Sequence, residues 1–191
     1  MPSKFLSPVL TAAALVAMFS TTASAATATN FVQAPGSTLV FATSYDGETF
    51  TGKFGKFDTK VSFDPMRPDL STIDVTIGLA GTATGNGDRD STLAGEDFFN
   101  VGKFAQATYK AKGFKPLGGN RYSTDGTLTL RGVSKPVTLT FQWTPGAQPT
   151  LTGKATLKRL DFGVGGGDWK DTSTIPDAVA VSTKVVLKPA N

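Results

Sequence analysis

The sequence predicts an all-β fold, with about eight antiparallel strands closed into a barrel or packed as a sandwich. Two observations carry this. Apolar residues alternate with polar ones over long stretches, which marks strands with one buried face. Turn signals at Asp46-Gly47, Asp64-Pro65, Gly118-Gly119-Asn120, Gly132 and Pro145-Gly146 divide these stretches at roughly 8–12 residue intervals.

The N-terminus stands apart from the fold. Lys4 precedes an apolar run from Phe5 to Phe19, and Ala23-Ser24-Ala25 supplies the small-residue pattern of a signal peptidase site. Residues 1–25 are expected to be a signal peptide cleaved after Ala25, leaving a soluble exported chain in the periplasm. Pro8 breaks the run, no Cys follows it, and no second long apolar stretch exists. A retained anchor, a lipid anchor and a transmembrane segment in the mature chain are therefore not expected. Residues 26–36 read as a loosely held lead-in and residues 37–189 as one barrel domain.

The strands follow in order. Leu39, Phe41, Thr43 and Tyr45 share one parity. In the next stretch Phe50 and Phe54 share one parity while Phe57, Val61 and Phe63 share the other. One face accommodates both sets only if an extra residue is inserted, and Gly55 is the natural bulge. Ile73, Val75, Ile77 and Leu79 alternate next; Leu128 and Leu130, then Val137, Leu139, Phe141 and Trp143, and finally Val179, Val181, Val185 and Leu187 complete the pattern. Two segments break it. Residues 88–99 have helical spacing with early acids suited to a helix N-terminus. FGVGGGDWKD, Phe162 to Asp171, is too glycine-rich for a regular strand. Both are expected at barrel openings.

Composition narrows the chemistry. The chain has 191 residues with no His and no Cys, so it has no imidazole base, thiol nucleophile, disulfide or ordinary zinc site. The formal charge of +4 is spread along the chain without a basic cluster, so nucleic acid is not an expected partner. Ser134-Lys135 sits in a turn, with its two side chains on opposite faces. Counting from Asn86, oxygen-bearing residues echo a calcium loop, but Ser91 stands where glycine is needed and Asp97 where a bidentate Glu is needed. The glycines at 163, 165, 166 and 167 lack the Lys-Ser/Thr of a phosphate loop. No metal ligands and no catalytic residues are assigned. What remains is an apolar interior rich in the chain's 14 Phe. It is either a filled core or, since an eight-stranded barrel has room for one small ligand, a lined cavity.

Six short motifs in order resemble the YceI-like family of exported, lipocalin-like, polyisoprenoid-binding proteins. They are FTGKFGKFD at Phe50 to Asp58, FDP at Phe63 to Pro65, TGNGDRD at Thr84 to Asp90, DFFNV at Asp97 to Val101, LTLRGVSKPV at Leu128 to Val137 and DFGVG at Asp161 to Gly165. The resemblance spans Gly36 to Leu187 and implies an elongated eight-stranded antiparallel barrel with a short helix at about 88–99. It further implies a hydrophobic tunnel for a long isoprenoid lipid or an isoprenoid quinone, with no cofactor required. FGVGGGDW and FTGKF also look like the branch linked to membrane cytochromes of the b561 type. Many relatives carry a His shortly after the first strand's Phe, where this chain has Phe41-Ala42-Thr43-Ser44-Tyr45.

Expected ligand-binding residues are Phe41, Phe54, Val75, Ile77, Leu128, Leu130, Leu139 and Phe141 in the walls. Phe98, Phe99 and Phe104 are expected to close one end, with Tyr45 and Trp169 near an opening. A monomer or homodimer is expected. The competing classes are a carboxylate-dependent enzyme acting on a bound lipid through Asp90 or Asp168, and a non-catalytic stress or interaction protein with a filled core.

Overall fold

The computed structural model describes residues 28–190. The expected signal peptide, residues 1–25, lies outside them. Eleven ladder segments form one antiparallel sheet: β1 (Thr29–Gln33), β2 (Thr38–Tyr45), β3 (Glu48–Lys53), β4 (Lys56–Phe63), β5 (Thr72–Gly78), β6 (Gln106–Lys112), β7 (Lys115–Gly118), β8 (Arg121–Leu130), β9 (Val133–Thr144), β10 (Thr150–Lys158) and β11 (Ala178–Pro189). Their order is β1-β4-β5-β6-β8-β9-β10-β11, and β1 pairs with β11 to close an eight-stranded barrel. The β2–β3 hairpin extends the wall beside the other half of β11, with Phe41 opposite Val181, and the short β7 pairs with the start of β8. Closure pairs each of these eight strands on both sides, while β3 and β7 each form a ladder with one strand only.

Three sequence expectations meet the structure differently. The parity switch after Phe54 is a break between β3 and β4 at Phe54–Gly55, where the wall changes partner from β2 to β1. Phe50, Phe54, Phe57 and Val61 thereby all reach the interior. The lead-in expected over residues 26–36 is not loose: Thr29–Gln33 is the strand that closes the barrel, with Phe31 opposite both Val61 and Pro189. The helix is shorter than residues 88–99. α1 (Gly87–Ala94) is capped by Asn86, whose side-chain oxygen accepts the Arg89 N–H. It stops where Gly95 turns extended, and Phe98 and Phe99 follow in tight turns.

The two ends of the barrel differ. One carries the β2–β3 turn, the β5–β6 connection with α1, the β8–β9 turn and the β10–β11 connection with its two short 3-10 helices, Arg159–Phe162 and Gly167–Trp169. Both pattern-breaking segments thus cover the same opening. The opposite end, the base, is filled by aromatic rings. Phe63 lies 4.5 Å from Trp143, 5.4 Å from Tyr122 and 5.9 Å from Phe114, and Phe141 lies 5.1 Å from Phe114. Phe31 closes this cluster against Trp143 at 5.3 Å. Each such side chain contributes about 1.5–3 kcal/mol by burial. The base therefore anchors the fold, and the covered half is free to be hollow.

Candidate functional site

Inside the covered half lies a cavity of about 600 Å³, within the range typical of small-molecule sites. Its walls come from inward positions of β2 to β6 and β8 to β11, and its roof from α1, the turns after it and the β10–β11 connection. The inward residues Val75, Ile77, Leu139, Val179 and Val181 are only half-buried although they point away from bulk solvent. Nothing from the opposite wall covers them, so this part of the interior is a cavity and not a core. The base, by contrast, is packed.

Of the thirteen residues expected from the sequence, eleven line this space: Phe41, Tyr45, Phe54, Val75, Ile77, Phe98, Phe99, Leu128, Leu130, Leu139 and Trp169. Tyr45 is exposed at the mouth, and Phe98 packs edge-on against Trp169 at 5.4 Å in the roof. Two do not. Phe141 has the inward parity of Leu139 but lies one inward position nearer the base, where it stacks on Tyr122 at 5.5 Å. Phe104 follows the last turn before β6 and packs outside the cavity near Lys103 and Gly132.

Several residues with a part in this site were not legible. Arg159 is only 4% exposed, and its guanidinium donates to the carbonyls of Val164, Gly165, Trp169, Ile175 and Pro176. It knits the roof from within. Burial lowers its pKa, an effect that the nearby Asp177 opposes. Arg131 takes a left-handed conformation, φ 51°, in the β8–β9 turn and donates to the carbonyls of Glu96 and Phe98. It ties the Phe98–Phe99 turns to the barrel wall. The Arg89 guanidinium lies 4.0 Å over the Phe50 ring at the mouth. Burial pushes the Tyr109 phenol up to about 12, and its hydroxyl donates to the Val137 carbonyl at 3.1 Å.

Thr43 and Thr59 also stand around the cavity, with hydroxyl oxygens that are enclosed and make no hydrogen bond among the described residues. Isolated arginines carry no periodic signal, so only the folded chain reveals them; Thr43 shares the parity of Phe41 and Tyr45, but parity does not tell whether its hydroxyl finds a partner. Asp90 and Asp168, the acids considered for chemistry, and their neighbour Asp171 have other work or lie apart from the cavity. Asp90 accepts from both the backbone N–H and the hydroxyl of Thr84, at 2.7 and 2.6 Å. Asp171 accepts from the N–H and hydroxyl of Ser173, which lower its pKa. Asp168 is exposed outside the cavity. Among the described residues no helix is long and apolar enough to cross a membrane.

This barrel and its sequence have relatives. A UPF0312 protein of Shewanella oneidensis is 31% identical over 135 residues, covering 66% of this chain and 70% of its own length. A UPF0312 protein of Pseudomonas fluorescens is 36% identical over 137 residues, covering 64% and 69%. The crystal structure of BcnA from Burkholderia cenocepacia superposes with a TM-score of 0.75 at 32% identity, over 78% of this chain and 95% of that one. A polyisoprenoid binding domain from Saccharophagus degradans shares the fold, with a TM-score of 0.67 at 17% identity over 85% and 99%. The YceI-like domain matches residues 30–187, and the chain belongs to the YceI-like family.

Proposed function

We propose that this protein binds a long-chain isoprenoid lipid, specifically an isoprenoid quinone, in the cavity of its barrel, and that it does so in the periplasm as a carrier. The observation that carries this reading is the half-buried state of inward Val75, Ile77, Leu139 and Val181 beside a densely packed base. An apolar hollow of this size loses contact energy when empty and recovers it around a hydrocarbon chain. Each ligand CH₂ transferred from water contributes about 0.8 kcal/mol, so a polyisoprenoid binds without directed polar contacts along its tail.

Charge argues for a neutral head group. The segments at the covered end hold Asp46, Glu48, Asp88, Asp90, Glu96, Asp97, Asp161, Asp168, Asp171 and Asp177, two-thirds of the 15 acids in the chain. These outnumber the cations beside them, Arg89, Lys103, Arg131, Lys158, Arg159 and Lys170. Such a field repels phosphorylated isoprenoids and leaves quinones unaffected. The polyisoprenoid binding domain of S. degradans has this same barrel, and an isoprenoid chain fits the apolar hollow found here. We assign no catalytic step, because of the two carboxylates weighed for one Asp90 is engaged with Thr84 and Asp168 lies outside the cavity. A membrane cytochrome of the b561 type is the partner class proposed for quinone exchange, on the sequence resemblance.

Solvent extraction and mass spectrometry of the natively purified mature protein is the test. The expected result is an isoprenoid lipid bound to the chain, and uptake of added isoprenoid quinone by delipidated protein. Absence of both overturns the reading. Leu139→Glu places a charge on the cavity wall and should cut quinone affinity by at least about tenfold with the barrel spectrum retained.

A further inference from the structure

The hollow ends abruptly on several strands. Along β4 the inward Phe57 is half-buried, while Thr59 is 0% exposed and Val61 2%. Along β5 the change falls between half-buried Val75 and Ile73, and along β9 between half-buried Leu139 and Phe141; Ile73 and Phe141 are each 2% exposed. On β10 it falls between half-buried Ala155 and buried Gly153. Between neighbouring strands these changes differ by no more than one inward position, since Thr59 lies opposite Val75 and Gly153 lies opposite Phe141.

That level is closed by side chains. A Cβ on Gly153 would stand 3.0 Å from Leu139 Cδ1, 3.3 Å from Thr183 Cγ2 and 3.4 Å from Leu151 Cδ2, so three residues already cover the bare glycine. Beneath them Phe141 packs against Phe114 and Tyr122. Above the level, β5, β9 and β10 each offer two inward positions to the hollow: Ile77 and Val75, Val137 and Leu139, Leu157 and Ala155. Two such positions span about 13 Å of strand at a rise of about 3.3 Å per residue. An isoprene repeat has four main-chain bonds of about 1.5 Å and so extends roughly 5 Å.

Resting on the lipid-binding reading, we propose that the packed level below Ala155 is a chain-length stop. The barrel encloses roughly three isoprene units of its ligand, however long the tail, and further units gain no contact from the wall. Each enclosed unit exchanges water for hydrocarbon, which raises affinity; a unit held outside does not. Ala155 sets the height of the stop, because its methyl group leaves the lowest open position of β10 bare. Leu151 holds the level from below, through its contact over Gly153.

Dissociation constants for benzoquinones carrying one, two, three, four and eight isoprene units test this on delipidated wild type, Ala155→Phe and Leu151→Ala. Wild-type affinity should rise at least about tenfold per unit up to about three units, and by less than about threefold from four to eight. A155F places a ring in the lowest open position and should reach its plateau about one unit earlier. L151A lowers the level and should reach it later. Lipid-free A155F should melt at or above wild type, because the ring enters empty space; a lower midpoint would mean that this position is already packed and would overturn the stop. A wild-type affinity that climbs steadily to eight units, one indifferent to tail length, or a plateau that neither variant moves also overturns the stop and leaves lipid binding intact. Failure of wild type to bind at every length overturns both readings.

Discussion

A Cβ built on Gly52 would stand 2.2 Å from the Phe41 ring, directly opposite it on β2. The ring lies across the bare glycine backbone, and this packs Phe41 flat to the wall where it would otherwise fill the cavity. Phe54, at 5.5 Å, and Phe50, at 6.4 Å, continue the same aromatic surface. Gly52→Ala forces the ring inward at a cost of about 1–3 kcal/mol, as overpacking does. We expect a lower denaturation midpoint together with reduced quinone capacity; a variant of wild-type stability would refute the close approach. The parity of Phe41 was readable from the alternation of β2. The role of Gly52 was not, because in FTGKF a glycine that permits a turn and one that admits a neighbouring ring look alike.

The glycine-rich roof depends on one side chain. Gly165 has φ +65°, and a Cβ there would stand 2.6 Å from Arg159 Nη1, so glycine is required both for the conformation and for the approach of the guanidinium. The roof is further joined to the Phe98 segment by the Gly165 N–H, which donates to the Asp97 carbonyl at 2.7 Å. Arg159→Met leaves five carbonyls to find water or stay unpaired, at about 1–3 kcal/mol for each that stays buried. We expect residues 163–175 to lose amide-exchange protection while β4, β5 and β6 keep theirs. Retained protection in the roof would show that apolar packing alone holds it. The sequence placed this segment at an opening because it is too rich in glycine for a strand. Its anchor was hidden, since an arginine at a strand end is ordinarily solvated.

Across the whole molecule, the filled base and the hollow covered half divide stability from function. Asp64 is central to the base: its carboxylate accepts the Met66 N–H at 2.9 Å and the Arg67 Nε–H at 3.2 Å, and its pKa is lowered, chiefly by the Met66 bond. A carboxylate with a folded pKa below its ordinary value of 3.8 adds stability that is complete above that value and is lost as pH falls through the lowered one. The midpoint of unfolding should therefore fall below about pH 4, and Asp64→Asn should flatten that decline. An unchanged acid profile in the variant would assign the decline to other groups.

Period-two alternation determined the walls, and the mismatch between Phe54 and Phe57 determined where one wall breaks, because strand geometry converts parity directly into face. Composition determined what chemistry was missing, since the absence of His and Cys removes those side chains outright. Parity does not encode height along a barrel. Leu139 and Phe141 therefore read alike, and only the closed sheet put one on the cavity wall and the other in the aromatic base. The same closure drew Thr29–Gln33 into the ladder. Whether an inward side chain meets a partner or empty space depends on what the opposite wall supplies, and that is set only when distant strands close around it.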